Sequence, residues 1–362
     1  MTAPVTAPPA RASAWLLLRV GADGCVDPGG SAEEPPLTLC MFPTVGKAAS
    51  VWARWRGRAA ALALTVLLLG VAACTGAEPG PVPAPTLGSS QAGSPSAAPA
   101  TGVDKVLVIV EENRSVQDAA AHMPFLISQA RSYGAATNFY AIRHPSLPNY
   151  LALAGGSTFG VADDKDPDAH RLQGPSVFGQ LVTAGRTAKT YAEAMPSKCA
   201  RRNHTTYAVR HNPWTYFDDR AERATCEQFD IPSGSPTAGA LVDDITAGEL
   251  PTFALLVPDL CHDGHDCSAA TTDDWLRSWL PTIKEGPDFT SNRLAIVITW
   301  DEDDDHSGNR VPMVVIHPSL KGKQVTTRLD HYGLSASIAR VGGIPPLRDA
   351  DTATDVLAAF GL

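Results

Sequence analysis

Four short uninterrupted apolar runs, residues 106–110, 252–257, 294–299 and 311–316, punctuate the later part of the chain. Continuous β-branched and apolar stretches of this length predict strands buried on both faces. Between them lie stretches of helical character, residues 176–184 before Gly185 and residues 332–341 before Gly342, each with a glycine stop. Strand alternating with helix predicts an α/β domain with a mostly parallel sheet sandwiched by helices. In such sheets ligands sit beyond the carboxyl ends of the strands. Here the first run leads into Glu111, Glu112 and Asn113, and the second into Pro258, Asp259 and the segment from Cys261 to Cys267. The third leads into Asp301 and Glu302, and the fourth into His317. Acidic loops are usually just solvated, and that reading suits Asp303, Asp304 and Asp305. It suits Glu112 and Asp263 less well, since they abut a buried strand or sit in a short cysteine-bounded loop.

The region upstream reads differently. Lys47, Arg54, Arg56 and Arg58 precede an apolar stretch at residues 59–73, a basic segment and hydrophobic core of a signal peptide. The stretch is short for a bilayer span. It ends Val71, Ala72, Ala73, Cys74, which resembles the lipobox of bacterial lipoproteins and marks Cys74 for lipidation; an ordinary signal peptide or a retained anchor is the alternative. Residues 1–40 then read as an upstream extension and Met41 as the working start, with the signal peptide over residues 41–74. Residues 75–102 are rich in Pro, Gly, Ser and Ala and read as a disordered tether. Residues 103–362 are the expected folded domain, exported and held at the outer face of the cell membrane by the lipid, or secreted.

The formal net charge is −9, and the basic excess of residues 1–73 leaves −11 for the remainder. A sequence-independent grip on nucleic acid is excluded on that balance. An anionic substrate must be drawn by a local site rather than by the overall field. Of seven cysteines, Cys199, Cys226, Cys261 and Cys267 form an even set suited to two disulfides in an exported chain. Of three possible connectivities, the sequence-local one is expected: Cys199 with Cys226, and Cys261 with Cys267.

Ser146, in the segment His144-Pro145-Ser146-Leu147-Pro148-Asn149-Tyr150, precedes an apolar stretch and sits at the start of a predicted helix. A helix N-terminus favours a phosphoryl group, although a serine there is most often a simple cap. Apart from His144 no general base is adjacent, so a cation is the expected activator of its hydroxyl. Glu112, Asn113, Asp301 and Glu302 supply oxygen ligands for one divalent ion, without choosing among Mg²⁺, Ca²⁺, Mn²⁺ and Zn²⁺. His204, His211, His262, His265 and His331 are each more often structural. Near acidic strand ends they suit phosphate binding and protonation of a leaving alkoxide. His170 reads as surface.

These segments, together with Tyr191 to Pro196, Tyr207 to Phe217 and His331 to Leu334, resemble the bacterial phosphoesterases that include acid phosphatases and phospholipases C, with an alkaline-phosphatase-like core. The resemblance spans residues 104–347. It implies that Glu112, Asn113, Ser146, Asp301 and Glu302 bind one metal ion, that Ser146 is the nucleophile, and that His211 and His265 hold phosphate or act as acid. Asp263 and His331 are weaker candidates. The His144–Tyr150 segment and the Cys261–Cys267 loop are most similar to the phosphatidylinositol 3-phosphatase type of secreted acid phosphatase. Phosphomonoester hydrolysis through a phosphoserine, on a small phosphorylated substrate or a phosphoinositide headgroup, is therefore expected. The alternatives are a phospholipase C-type phosphodiesterase and a non-catalytic, metal-stabilised surface lipoprotein. Two departures stand out: His262 occupies a position where Asn is usual, and Asp303-Asp304-Asp305 follows Glu302 where a glycine is common.

Overall fold

The computed structural model describes residues 102–362. The upstream extension, the signal segment with Cys74 and nearly all of the tether lie outside the described residues. The strands are β1 (Lys105–Glu111), β2 (Gly134–Ala136), β3 (Phe139–Tyr140), β4 (Ala188–Ala192), β5 (Asp230–Pro232), β6 (Phe253–Val257), β7 (Leu294–Trp300), β8 (Met313–Ile316), β9 (Lys323–Val325) and β10 (Leu329–Asp330). The helices are α1 (Val116–His122), α2 (Pro124–Ser132), α3 (Leu147–Gly155), α4 (Val177–Thr183), α5 (Arg220–Phe229), α6 (Ala240–Ala247), α7 (Ala269–Glu285), α8 (Pro287–Thr290), α9 (His331–Gly342) and α10 (Val356–Phe360).

Eight strands form one sheet in the order β5-β4-β6-β1-β7-β8-β2-β9, while β3 and β10 form a separate pair. From β5 to β7 every neighbour is parallel. β8 runs antiparallel to both β7 and β2. All residues of β1, β6, β7 and β8 are buried, as their unbroken apolar runs require. Two sets of helices supply the cover: α1, α2, α6, α7 and α8 pack among themselves, as do α3, α4, α5, α9 and α10.

The expected α/β architecture holds, and two details differ. α9 ends one residue later than its glycine signal suggested, because Gly343, not Gly342, takes the left-handed cap with φ 66°. The fourth apolar run is antiparallel, so His317 lies at the opposite edge of the sheet from the ends of β1, β6 and β7. There it bonds the Asn292 carbonyl and Ser319. Both expected disulfides are present, Cys199–Cys226 and Cys261–Cys267.

Asp230, at the start of β5, is fully buried and accepts two 2.9 Å hydrogen bonds from Asn212 Nδ2. Burial pushes its carboxyl up to about 7, against the pull of Asn212 and Arg223. A pKa raised on folding favours the native state most below the unfolded value, and that contribution is lost as pH rises through about 7. Replacing Asp230 with Asn should therefore flatten the decline in unfolding free energy between pH 5 and pH 8 by roughly 2–4 kcal/mol. Urea denaturation at both pH values checks this, and equal slopes in the two proteins would refute the assignment.

Candidate active site

The centre is assembled by strand register. β1 and β7 pair with Glu111 opposite Trp300, and the ladder continues one step further through Asp301 N–H to the Glu111 carbonyl at 2.9 Å. Glu112–Asn113 and Asp301–Glu302 thus emerge side by side from neighbouring parallel strands. Asn113 takes a left-handed conformation, φ 48°, which asparagine tolerates better than most residues. Its backbone N–H reaches Asp301 Oδ1 at 3.3 Å, and its side-chain amide donates to Glu302 Oε1 at 2.8 Å.

Ser146 stands at the cap position of α3, yet its side chain makes no capping bond. Asp164 Oδ1 accepts the Leu147 N–H instead, at 2.9 Å. The Ser146 hydroxyl donates to Glu112 Oε2 at 3.1 Å. One turn later Tyr150 donates its hydroxyl to Glu112 Oε1 at 2.6 Å, since residues four apart share a helix face. Asn149 pins the loop in front. Its Oδ1 accepts from the Ile142 and Arg143 N–H groups, and its Nδ2 donates to the carbonyls of Arg143 and Pro145.

His211 approaches from a short 3₁₀ turn, Val209–His211. Its Nε2 lies 3.2 Å from Glu112 Oε2 and its Nδ1 3.1 Å from Asp263 Oδ2, with all three residues buried. The ring stacks on Tyr150 at 5.2 Å. Glu112 N–H donates to the Asp263 carbonyl at 2.9 Å, tying the Cys261–Cys267 loop to the end of β1. His265 is exposed, bonds Asp266 and has its ring 6.5 Å from that of His211, at the rim of the cluster. His331, the first residue of α9, is buried with Nε2 against the Trp300 carbonyl at 3.1 Å and Nδ1 unpartnered. His204 is exposed and His262 pairs with Glu193 and Asp259, both outside the cluster. His170, read as surface, is half-buried against Asp163.

Burial is the first cause of most shifts here. It drives the Asp301 carboxyl well above the carboxylate range, with Glu112 and Glu302 adding repulsion. It pushes Glu302 up to about 8, again with help from Glu112. Burial also acts on Glu112, but the charge and hydrogen bond of His211 outweigh it and hold that carboxyl below its ordinary value. His211 is opposed by burial yet carried to about 9 by Glu112 and Asp263. Burial takes His331 down to about 4, so it is neutral. Buried acceptors on Asn113 Oδ1, Asp301 Oδ2 and Glu302 Oε2 have no hydrogen-bond donor. Glu302 Oε2 does lie 3.0 Å from His144 Nδ1, without hydrogen-bond alignment. Crowded carboxylates with orphaned oxygens beside Ser146 are a donor set that fits a hard divalent cation. A cavity of about 550 Å³ lined by Glu193, His262 and Trp275 includes none of these residues. The chemistry, rather than that volume, locates the centre.

The structure brings together Glu112, Asn113, Ser146, Asp301, Glu302, His211 and Asp263. Sequence reasoning gave no role to Tyr150, Asn149 or Asp164, and it named His144 only as a neighbouring base, although its ring nitrogens face Glu302 and Asp303. Tyr150 carried a usable signal, being four residues beyond Ser146 on a predicted helix. Asp164 carried none.

A model of the Phosphoesterase family matches residues 118–345. The chain is 29% identical over 263 residues to a phosphatidylinositol-3-phosphatase of Mycobacterium tuberculosis, covering 71% of this chain and 82% of that protein. It is 31% identical over 262 residues to an acid phosphatase of Aspergillus fumigatus, covering 68% of this chain and 56% of the relative, so it spans about half the length of that fungal protein. Among solved structures, an alkaline phosphatase superfamily protein from Vibrio parahaemolyticus aligns with TM-score 0.47 and 11% identity over 68% of this chain and 69% of that one. The lipoteichoic acid synthase LtaP of Listeria monocytogenes aligns with TM-score 0.48 and 9% identity over 70% and 77%. With the matched family model spanning well over half of its residues, the chain belongs to the Phosphoesterase family and is a phosphoric ester hydrolase.

Proposed function

We propose that this protein hydrolyses phosphate monoesters through a phosphoserine on Ser146, at a centre where Glu112, Asn113, Ser146, Asp301 and Glu302 hold one divalent metal ion. The observation that carries the reading is the Ser146 hydroxyl, which forgoes the helix cap and points at Glu112 Oε2 beside the orphaned acceptors. The bound cation would neutralise those carboxylates and stabilise charge on the serine oxygen and the phosphoryl group.

Glu112 Oε2 lies within 3.2 Å of both the Ser146 hydroxyl and His211 Nε2, so one oxygen links nucleophile and acid. Ser146 passes its proton to Glu112 as its oxygen bonds to phosphorus. The ester P–O bond breaks and the departing alkoxide takes a proton from His211, whose protonated form Asp263 and Glu112 favour. This leaves Glu112 protonated and His211 neutral, the state the second half needs. Water then attacks the phosphoserine by the reverse proton path and inorganic phosphate leaves. Asp263 orients His211 through Nδ1, as a carboxylate does for a catalytic imidazole. His265 stands at the rim, where it meets the leaving group or solvent, and neutral His331 supports the end of β7.

A small phosphorylated substrate fits this chemistry. The mycobacterial relative's name extends the reading to a phosphoinositide headgroup. Two disulfides suit an oxidising compartment, in keeping with export and an anchor at Cys74. Among the described residues no helix is long and apolar enough to cross a membrane.

Replacing Ser146 with Ala should lower turnover of p-nitrophenyl phosphate by about 10³-fold or more while leaving the melting temperature close to that of the parent. Acid quenching of the parent should trap phosphate on the peptide containing Ser146. Near-normal turnover in the alanine variant rejects the nucleophile. Chelation should abolish activity, and a saturating divalent ion should raise the melting temperature by several degrees. Asp301→Asn should lose most of that rise; an unchanged rise would move the ion elsewhere. On phosphatidylinositol phosphates the product should be free phosphate, and release of diacylglycerol would favour phosphodiester cleavage.

A further inference from the structure

His262 and Asp263 follow one another in the Cys261–Cys267 loop yet face different partners. Asp263 meets His211 at the centre, whereas His262 Nδ1 lies 2.9 Å from Glu193 Oε2 and 3.3 Å from Asp259 Oδ1. Glu193 follows β4 and Asp259 lies just beyond β6, so two paired parallel strands deliver the acids at their carboxyl ends. The three ligand atoms lie within 4.8 Å of one another, and all three residues are half-buried.

A ring nitrogen has at most one proton to give, and that of His262 Nδ1 is directed at Glu193. It cannot serve Asp259 as well, whereas a cation in that place satisfies both carboxylates and the imidazole lone pair together. Ligands about 2 Å from a tetrahedral ion sit roughly 3.3 Å apart, close to the 2.9 and 3.3 Å found here. The carboxylates are also steadied from behind. Asp259 Oδ1 accepts the N–H groups of Cys261 and His262, its Oδ2 accepts the Thr206 hydroxyl, and Glu193 Oε2 accepts the Asp259 N–H. Outer bonds of this kind orient metal ligands.

The surroundings also call for a ligand. Glu193 and His262 line the cavity of about 550 Å³ together with Thr271, Trp275 and Ser278. The His262 ring stacks on Trp275 with centroids 6.2 Å apart. Trp275 is only 5% exposed, and its indole N–H has no acceptor among the described residues. Three protein donors leave the fourth position of a tetrahedral ion open, and a water or other oxygen ligand there is the kind of acceptor that a buried indole N–H requires.

We propose that Glu193, Asp259 and His262 form a cation site distinct from the Ser146 centre, selective for a divalent transition ion such as Zn²⁺ over Mg²⁺ or Ca²⁺, with one coordination position open to the cavity. Two carboxylates and an imidazole suit a borderline ion, whereas Mg²⁺ and Ca²⁺ favour all-oxygen sets. The ion joins the ends of β4 and β6 to the disulfide loop. None of its ligands belongs to the Ser146 centre, so the assignment stands independently of that reading.

The test uses the full chain carrying Asp301→Asn, to weaken competition from the centre, and Co²⁺ as the probe, whose visible absorption intensifies in four-coordinate sites. Titration should show an ion bound with a four-coordinate spectrum, displaced by Zn²⁺ and indifferent to excess Mg²⁺. His262→Asn and Glu193→Gln, each added to that background, should weaken its binding roughly 100-fold or more. His204→Asn, at an exposed histidine outside the cluster, should leave it unchanged. Affinity unchanged in the His262 and Glu193 variants overturns the proposal, as does its loss in the His204 variant, which would mean adventitious surface binding only. Displacement by Mg²⁺ as readily as by Zn²⁺ overturns it too. Should one of the two ligand variants melt early, the other decides by the same criterion. Should both melt early, anomalous diffraction from Zn²⁺-loaded crystals of the parent decides: a peak bonded to His262 Nδ1 supports the site, and its absence rejects it.

Discussion

The whole centre depends on one parallel strand pairing. β1 and β7 lie in register, so their continuations leave the sheet together and deliver Glu112–Asn113 and Asp301–Glu302 to the same place. A shift of a single residue would turn each pair of side chains to the other face. The pairing is secured by apolar burial along the full length of both strands, remote from the polar groups it positions. Stability of the hydrophobic layer and precision of the chemistry are thus one requirement.

That arrangement is electrostatically strained as it stands. Asp301 and Glu302 are pushed upward by burial and by the charge of Glu112, while Glu112 is kept ionised by His211. Carboxylates gathered in low dielectric cost free energy unless a cation or proton relieves them. The same crowding that opposes folding would suit the proposed metal ion, a common trade at functional sites. Tyr150 and Asn149 hold their neighbours in position with neutral hydrogen bonds, so they add order without adding charge.

Much of this was legible in the sequence because hydrophobic runs and polar strand ends are local signals. Residues 106–110, 252–257 and 294–299 marked the three central strands within a residue or two. Edge strands β5 and β9 were not legible, being three residues long and partly exposed. The direction of β8 was also hidden, since an apolar run does not reveal which way it points. Glu112, Asn113, Asp301 and Glu302 were found because each adjoins a strand. The contacts of His211 with Asp263, and of Leu147 with Asp164, join segments far apart or inside a long loop and leave no pattern in the chain. His265 was placed with His211 on the strength of resemblance, and its rim position reflects its bond to the adjacent Asp266.

The Cys261–Cys267 link joins cysteines with a sequence separation of only 6, and Asp263 lies inside the ring it closes. That residue steadies His211 with its side chain and receives the Glu112 N–H with its carbonyl. Arg114 clasps the same ring through the carbonyls of Gly264 and Cys267. On the proposed mechanism, closing that ring would ready the acid–base pair as well as brace the fold, since the residue facing the imidazole is fixed by the link between the two sulfurs.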